Sequence, residues 1–167
     1  MQGLGLSLDD RMIAAVEDSF EVLSEPAHRD ARFLFAEWKK LSAAGGFMVG
    51  IHVPSRKLAR VLPALSLYEP VDGGHDFRVR LAGTALRRRF GRDITGLTMS
   101  DLFSGKSLSY YNGRMRRVLS DGEPFMLDLR VEHDGLTRLH FEWLGLQVFS
   151  PDCRHPWIMT GHFLYAE

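Results

Sequence analysis

The side chains best able to do chemistry in this chain are its seven histidines, which are spread from His28 to His162. Imidazole binds metal ions and transfers protons near neutral pH. His140, Glu142 and His162 fall in segments with strand character, so one sheet face can bring them together as metal ligands. Scattered histidines are more often ordinary polar residues than ligands. We therefore predict no metal site.

Motifs of the common enzyme classes are missing. The chain has no G-x-S-x-G, no glycine-rich phosphate loop with Lys-Ser/Thr, no H-E-x-x-H and no C-x-x-C. We therefore predict no catalytic residues. One alternative is a small α+β-cone enzyme of the isomerase type, with Asp128 or His140 as a base in a pocket. A structural adaptor without a pocket is another.

Aromatic and methionine side chains predict an apolar pocket. Tyr111 and Trp143 can each supply one hydrogen bond in an otherwise apolar site. The alternative is that all these residues simply fill the core, because their types and spacings are also those of ordinary packing. The predicted ligand-binding pocket consists of Phe90, Phe103, Tyr111, Met115, Phe125, Leu127, Phe141, Trp143 and Met159.

The basic run Arg87–Arg89, followed by Arg92, can bind phosphate groups or an acidic partner. Three consecutive residues of a helix point in different directions, so a solvated helix surface is the favoured interpretation. Lys and Arg together number 21, as do Asp and Glu. No net charge therefore attracts nucleic acid or an anionic membrane.

Composition indicates a globular protein. The 167 residues are 45% hydrophobic and 25% charged, which is typical of one ordinary domain. Cys153 is the only cysteine, so no internal disulfide can form. No window approaches the roughly 18 apolar residues of a membrane span, and the N-terminus has no signal-peptide pattern. We expect a cytoplasmic protein that binds neither membrane nor nucleic acid.

The first third of the chain predicts two amphipathic helices. Ser7 and Asp10 form a helix start signal, and a second helix runs from near Ser24 to Gly45-Gly46. We assign residues 1–45 to an N-terminal helical extension and residues 46–167 to the main domain. The apolar stripe of the first helix predicts a homodimer formed through Met12, Ile13, Val16, Phe20 and Leu23.

The rest of the chain alternates hairpins with helices. Apolar and polar residues alternate around the Asp72-Gly73-Gly74 turn, and three more strand patterns follow from Phe125 onward. Short helices and a longer helix over Ser107–Leu119 lie between these groups. Hairpins favour an α+β fold with an antiparallel sheet and helices on one face. The helical crossover encloses a space suited to a small ligand.

This element order resembles that of a PAS domain. The segment from Leu81 to Phe103, LAGTALRRRFGRDITGLTMSDLF, is similar to a bacterial PAS family common in alphaproteobacteria. The matching motifs are Ala82-Gly83-Thr84, Phe90-Gly91-Arg92, Thr95-Gly96 and Asp101-Leu102-Phe103. The resemblance implies a five-stranded antiparallel sheet and a sensory or regulatory module, often dimeric. Such a module binds a small ligand or a protein partner and signals through another protein.

The resemblance also suggests two cofactors to look for. Haem-binding relatives carry an axial histidine on the long helix, and Ser107–Leu119 has none. Flavin photosensors carry a reactive cysteine in a helical motif, whereas Cys153 follows Pro151 in a late loop. We therefore expect neither haem nor flavin, which leaves an unidentified small apolar ligand.

Overall fold

An antiparallel sheet forms the centre of the protein. The computed structural model describes residues 20–133 and 136–165. In this part of the chain the sheet has six strands in the order β1-β4-β5-β6-β2-β3. The strands are β1 (Phe20–Val22), β2 (Leu65–Val71), β3 (Asp76–Ala82), β4 (Phe125–His133), β5 (Leu136–Phe149) and β6 (Pro156–Leu164). The helices are α1 (Arg29–Ala43), α2 (Thr84–Phe90), α3 (Met99–Leu102) and α4 (Gly105–Asp121), with 3-10 turns at Leu62–Ala64 and Asp72–Gly74.

Both faces of the sheet are covered by apolar groups. Alternate residues of a strand point to opposite faces, so Trp143 of β5 points to one face and Leu144 to the other. The inner face packs against α2, α3 and α4. The outer face packs against α1 and the segment from Phe47 to Val61. The predicted α+β fold with an antiparallel sheet is confirmed: α2, α3 and α4 cover one face, and the N-terminal helix α1 packs on the other.

The sixth strand comes from residues that the sequence analysis placed in the first helix. Phe20 pairs with Leu129 of β4, and its ring centroid lies 5.0 Å from that of Tyr110. The Leu23 amide donates to the Met126 carbonyl at 2.9 Å, and its side chain packs with the outer cluster. A helical assignment for these residues is wrong because the β4 edge offers their backbone hydrogen-bond partners. The other stripe residues, Met12, Ile13 and Val16, lie outside the described residues.

A buried carboxylate attaches the start of α1 to the outer face. Glu142 of β5 is 0% exposed. Its Oε1 accepts hydrogen bonds from the Ala27 and His28 amides, both at 3.0 Å, and from the Tyr165 hydroxyl at 3.2 Å. A negative charge is favourable at this end of a helix. α1 therefore docks on the sheet, while the division of the chain at residue 45 stays a prediction.

One residue of β5 connects helices on opposite faces. The Trp38 indole N–H of α1 donates to the Gln147 carbonyl at 2.7 Å. The Gln147 side-chain amide donates to the Leu119 carbonyl of α4 at 3.0 Å. Within the described ranges, no helix combines the length and apolar character needed to cross a membrane.

The segment from Leu81 to Phe103 builds the connection between β3 and α4. Gly83 precedes α2, and a Cβ atom there would lie 2.3 Å from the Pro63 carbonyl oxygen. Gly91 ends α2 at φ 73°, a left-handed conformation that glycine adopts easily. Thr98 and Asp101 form a capping box at the start of α3. These motif residues fix the geometry of the short helices.

Candidate functional site

Arg89 places a guanidinium group inside the protein. It is only 1% exposed, whereas Arg87 and Arg88 on the same helix are exposed. Helical geometry explains the difference, because Arg89 lies three residues after buried Leu86 and shares its side of α2. The interpretation of the basic run as a solvated surface is therefore wrong for Arg89.

Aromatic rings surround the Arg89 guanidinium. Its carbon lies 4.7 Å from the ring centroid of Trp143, 5.1 Å from that of Phe90 and 5.4 Å from that of Phe103. Such cation–π contacts contribute about 2 kcal/mol or more when they are desolvated. They offset part of the cost of burying the charge.

His162 of β6 is a polar partner of Arg89. The Arg89 Nη1 atom lies 2.6 Å from His162 Nε2. A guanidinium can only donate, so Nε2 accepts and the imidazole proton is on Nδ1. Burial, followed by the charge of Arg89, holds the pKa of His162 well below its usual value. His162 is therefore a neutral histidine in the Nδ1–H tautomer.

Several N–H groups of this cluster have no acceptor. Trp143 Nε1 and His162 Nδ1 are buried without a hydrogen-bond partner among the described residues, and Arg89 Nε and Nη2 have no well-aligned acceptor there, although the Tyr111 side chain interacts with the guanidinium. Burial also lowers the pKa of Arg89, and this is opposed by electrostatic interactions with Tyr111 and Tyr68 and by a side-chain hydrogen bond with Tyr111. No carboxylate of the described residues pairs with this guanidinium. Unsatisfied donors of this kind are costly in a protein interior and require an explanation.

A cleft leads from the surface to His162. β6 continues for three residues beyond its last pair with β2, which joins Gly161 to Leu65. The space beside this free edge has a volume of about 200 Å³. It is lined by residues of α2, the 3-10 turn, the end of β6 and the start of α1: His28, Asp30, Pro63, Ala64, Thr84, Ala85, Arg88, His162, Phe163 and Leu164.

Comparison with known families identifies this architecture. A family model described as a PAS domain matches residues 27–163, from just before α1 to the end of β6. The chain belongs to the PAS domain family. No curated protein matches it significantly. PAS domains are typically sensory or regulatory modules, and this agrees with the resemblance drawn from the segment between Leu81 and Phe103.

Most of the predicted pocket residues lie on the inner face of the PAS domain sheet. Met159 does not, because Ile158 and Thr160 of β6 face inward and Met159 packs in the outer cluster with Leu67 and Leu146. Its assignment to the pocket is wrong. The residues that do lie in the inner cluster are Phe90, Phe103, Tyr111, Met115, Phe125, Leu127, Phe141 and Trp143.

The histidines and acids considered as ligands or bases do not meet in a cavity. Strand alternation puts His140 and Glu142 on the outer face, opposite His162. In the described residues, no group of three His, Cys, Asp or Glu side chains is placed to hold a metal. The Asp128 carboxylate accepts a hydrogen bond from His140 Nε2 at 2.8 Å on the outer face, where both side chains are partly exposed. This pair lies outside the cleft that reaches the PAS domain interior.

Arg89 and His162 were considered only within the basic run and a possible metal site, and neither was predicted as a pocket residue. The pattern Leu86-x-x-Arg89-Phe90 carried a signal, because a residue three positions after a buried leucine faces the same way. His162 sits between residues of strand character in β6, with the parity of Ile158 and Thr160. Because alternate residues of a strand share a face, His162 could have been predicted to point into the interior of the PAS domain with Ile158 and Thr160.

Replacing His162 with glutamine is expected to weaken the pH dependence of PAS domain stability. The folded-state pKa of His162 is depressed, so as pH falls below about 6.5 the unfolded chain binds a proton that the folded chain excludes. Folding free energy is then lost at up to about 1.4 kcal/mol per pH unit. Urea unfolding of both proteins between about pH 7 and about pH 5 measures this slope. Equal slopes would show that His162 is protonated in the folded protein.

Proposed function

We propose that this PAS domain is a cytoplasmic sensor that binds a small molecule at the cluster of Arg89, Trp143 and His162. The observation that supports the proposal is the buried guanidinium with its unsatisfied N–H groups. Such groups are tolerated in proteins mainly where a ligand or ordered water completes them. Neither haem nor flavin is part of this proposal.

The position of the cluster gives a route from binding to signalling. Arg89 belongs to a short helix, while Trp143 and His162 belong to neighbouring strands of the sheet. A ligand bonded to all three holds α2 against the sheet, and its loss releases that restraint. Binding then shifts the population of α2 arrangements by the difference in affinity between them. A partner protein that contacts the exposed side of α2 can detect this shift.

Homodimerisation through the N-terminal segment also remains part of the proposal. Phe20 and Leu23 pack within the monomer, so the dimer contact would depend on Met12, Ile13 and Val16. Signalling through a second protein is consistent with the sensory role typical of PAS domains.

Native mass spectrometry of freshly purified protein tests the ligand-binding proposal. We expect a complex whose extra mass disappears under denaturing conditions, because the ligand is held without a covalent bond. The variant Arg89→Met keeps the volume of the side chain but removes its charge and donors, and is expected to carry no ligand.

Arg87→Met is the matched control, because it makes the same change on the same helix at an exposed position paired with Asp93 at 3.3 Å. It is expected to retain the ligand. A wild-type protein without any bound small molecule would contradict the proposal. So would an identical complex in Arg89→Met.

A further inference from the structure

We infer that the molecule bound at Arg89 is a small monocarboxylic acid, which enters through the cleft beside His162. This inference rests on the proposed function for the position of the site and adds the chemical class of the ligand. It follows from the kind of polar atoms left unsatisfied there, from the balance of charge and from the size of the opening.

The unsatisfied N–H groups favour a ligand that supplies hydrogen-bond acceptors. Arg89 Nε and Nη2, Trp143 Nε1 and the protonated His162 Nδ1 all carry hydrogens. A ligand that matches them must therefore present several lone pairs and need offer no hydrogen. A carboxylate does this with two oxygens, and its geometry matches the two parallel N–H groups of a guanidinium.

The charge of the cluster favours a ligand that carries a single negative charge. Arg89 is a buried cation that no described carboxylate neutralises. An anion in contact with it removes much of the penalty of burying an unpaired charge. His162 is held neutral by its surroundings, so it supplies no second positive charge. A monoanion balances the site, whereas a dianion leaves one buried charge uncompensated.

The surroundings limit the rest of the molecule. Phe90, Phe103 and Trp143 form the apolar wall around the guanidinium. The cleft has a volume of about 200 Å³, below the range of roughly 300–1,000 Å³ for sites that hold drug-sized ligands. A short aliphatic or single-ring tail fits both restrictions.

The cleft favours the approach of an anion. His162 belongs to both the cleft and the cluster, so it joins the surface opening to Arg89. Exposed Arg88 lines the same cleft and places a second positive charge outside the buried site. Asp30 also lines it, but its carboxylate is paired with Arg60 at 3.3 Å and Arg29 at 3.8 Å.

Nuclear magnetic resonance titration of the full chain, cleared of any retained ligand by refolding, tests the inference. The probes are propionate, butyrate, benzoate and phenylacetate, each compared with its own primary amide at constant ionic strength. We expect the acids to shift the indole N–H signal of Trp143 and the amides to leave it unchanged. The indole of Trp38 already donates to Gln147 and serves as an internal control.

Substitutions assign the effect to the guanidinium. Arg89→Met is expected to weaken binding of the effective acids by at least about thirtyfold, as expected for truncation of a buried charge pair. Arg87→Met is expected to bind them as the wild type does.

The outcomes separate this inference from the proposed function. Amides that shift the Trp143 signal as strongly as the acids would overturn the inference and leave a ligand site at Arg89. A Trp143 signal that no acid shifts would also overturn it, and the native mass spectrum then decides whether the proposed site itself survives. The comparison of acid with amide uses wild-type protein, so it stands even where Arg89→Met fails to fold.

Discussion

Glu142→Gln is expected to lower the free energy of unfolding by about 2–4 kcal/mol, because hydrogen bonds to a buried charge contribute more than neutral ones. The carboxylate accepts from the Ala27 and His28 amides and from the Tyr165 hydroxyl. Glutamine supplies one oxygen instead of two, and its NH₂ group faces donors. The start of α1 then loses partners that no water replaces, since Glu142 is fully buried.

Two measurements distinguish this local effect from general damage. Hydrogen exchange should quicken first at the Ala27 and His28 amides. Burial and the adjacent carboxylate raise the pKa of Tyr165 to about 12, so removing the negative charge should lower that pKa. Glu69→Gln is the control, because Glu69 forms only a partly exposed ion pair with Arg80 at 3.5 Å, and it should cost no more than about 1 kcal/mol. Equal losses in the two variants would contradict the role given to Glu142.

Gly83→Ala is expected to destabilise the protein by about 3 kcal/mol or more, the upper range for inserting an atom into a packed site. A Cβ atom at this position lies 2.3 Å from the Pro63 carbonyl oxygen and 2.7 Å from that of Leu65. Both obstacles are backbone atoms, which cannot move aside as a flexible side chain can. The Gly83 amide also donates to the Leu65 carbonyl at 2.8 Å, so separating the segments breaks a hydrogen bond.

Gly113→Ala makes the same chemical change where space is open. Apart from its chain neighbours and the backbone of its own helix, no atom lies within 4 Å of a Cβ built at Gly113 in α4. Alanine there should raise the free energy of unfolding by roughly 0.5–1 kcal/mol, because glycine is a poor residue for the middle of a helix. Urea unfolding of the two variants should therefore give shifts of opposite sign. Two small shifts of the same sign would show that α2 can move away from the 3-10 turn.

The sheet and the short helices were predictable from sequence because each depends on local patterns. The hairpin around Asp72–Gly74 and the helix Thr84–Phe90 appear as their alternation and glycines indicate. β1 was not predictable in this way. Phe20 and Leu23 are spaced like helical residues, and only the unpaired edge of β4, more than one hundred residues away, makes a strand the better solution.

The candidate site was harder to predict because it depends on a polar group in an apolar setting. The aromatic residues around it follow ordinary patterns of core packing, so Phe90, Phe103 and Trp143 could be named in advance. Arg89 could not be separated from its exposed neighbours by residue type. Its burial follows from the side of α2 that it shares with buried Leu86, and residue type alone does not indicate which side of so short a helix faces the sheet.

The hydrogen bonds of Gln147 have a mechanical consequence. Its backbone receives the Trp38 indole on one side of the sheet, and its side chain reaches the last turn of α4 on the other. Displacement of α4 along its axis therefore pulls on the same residue that anchors α1. Movement of α4 is thereby coupled through β5 to the environment of the Trp38 indole on the opposite face of the sheet.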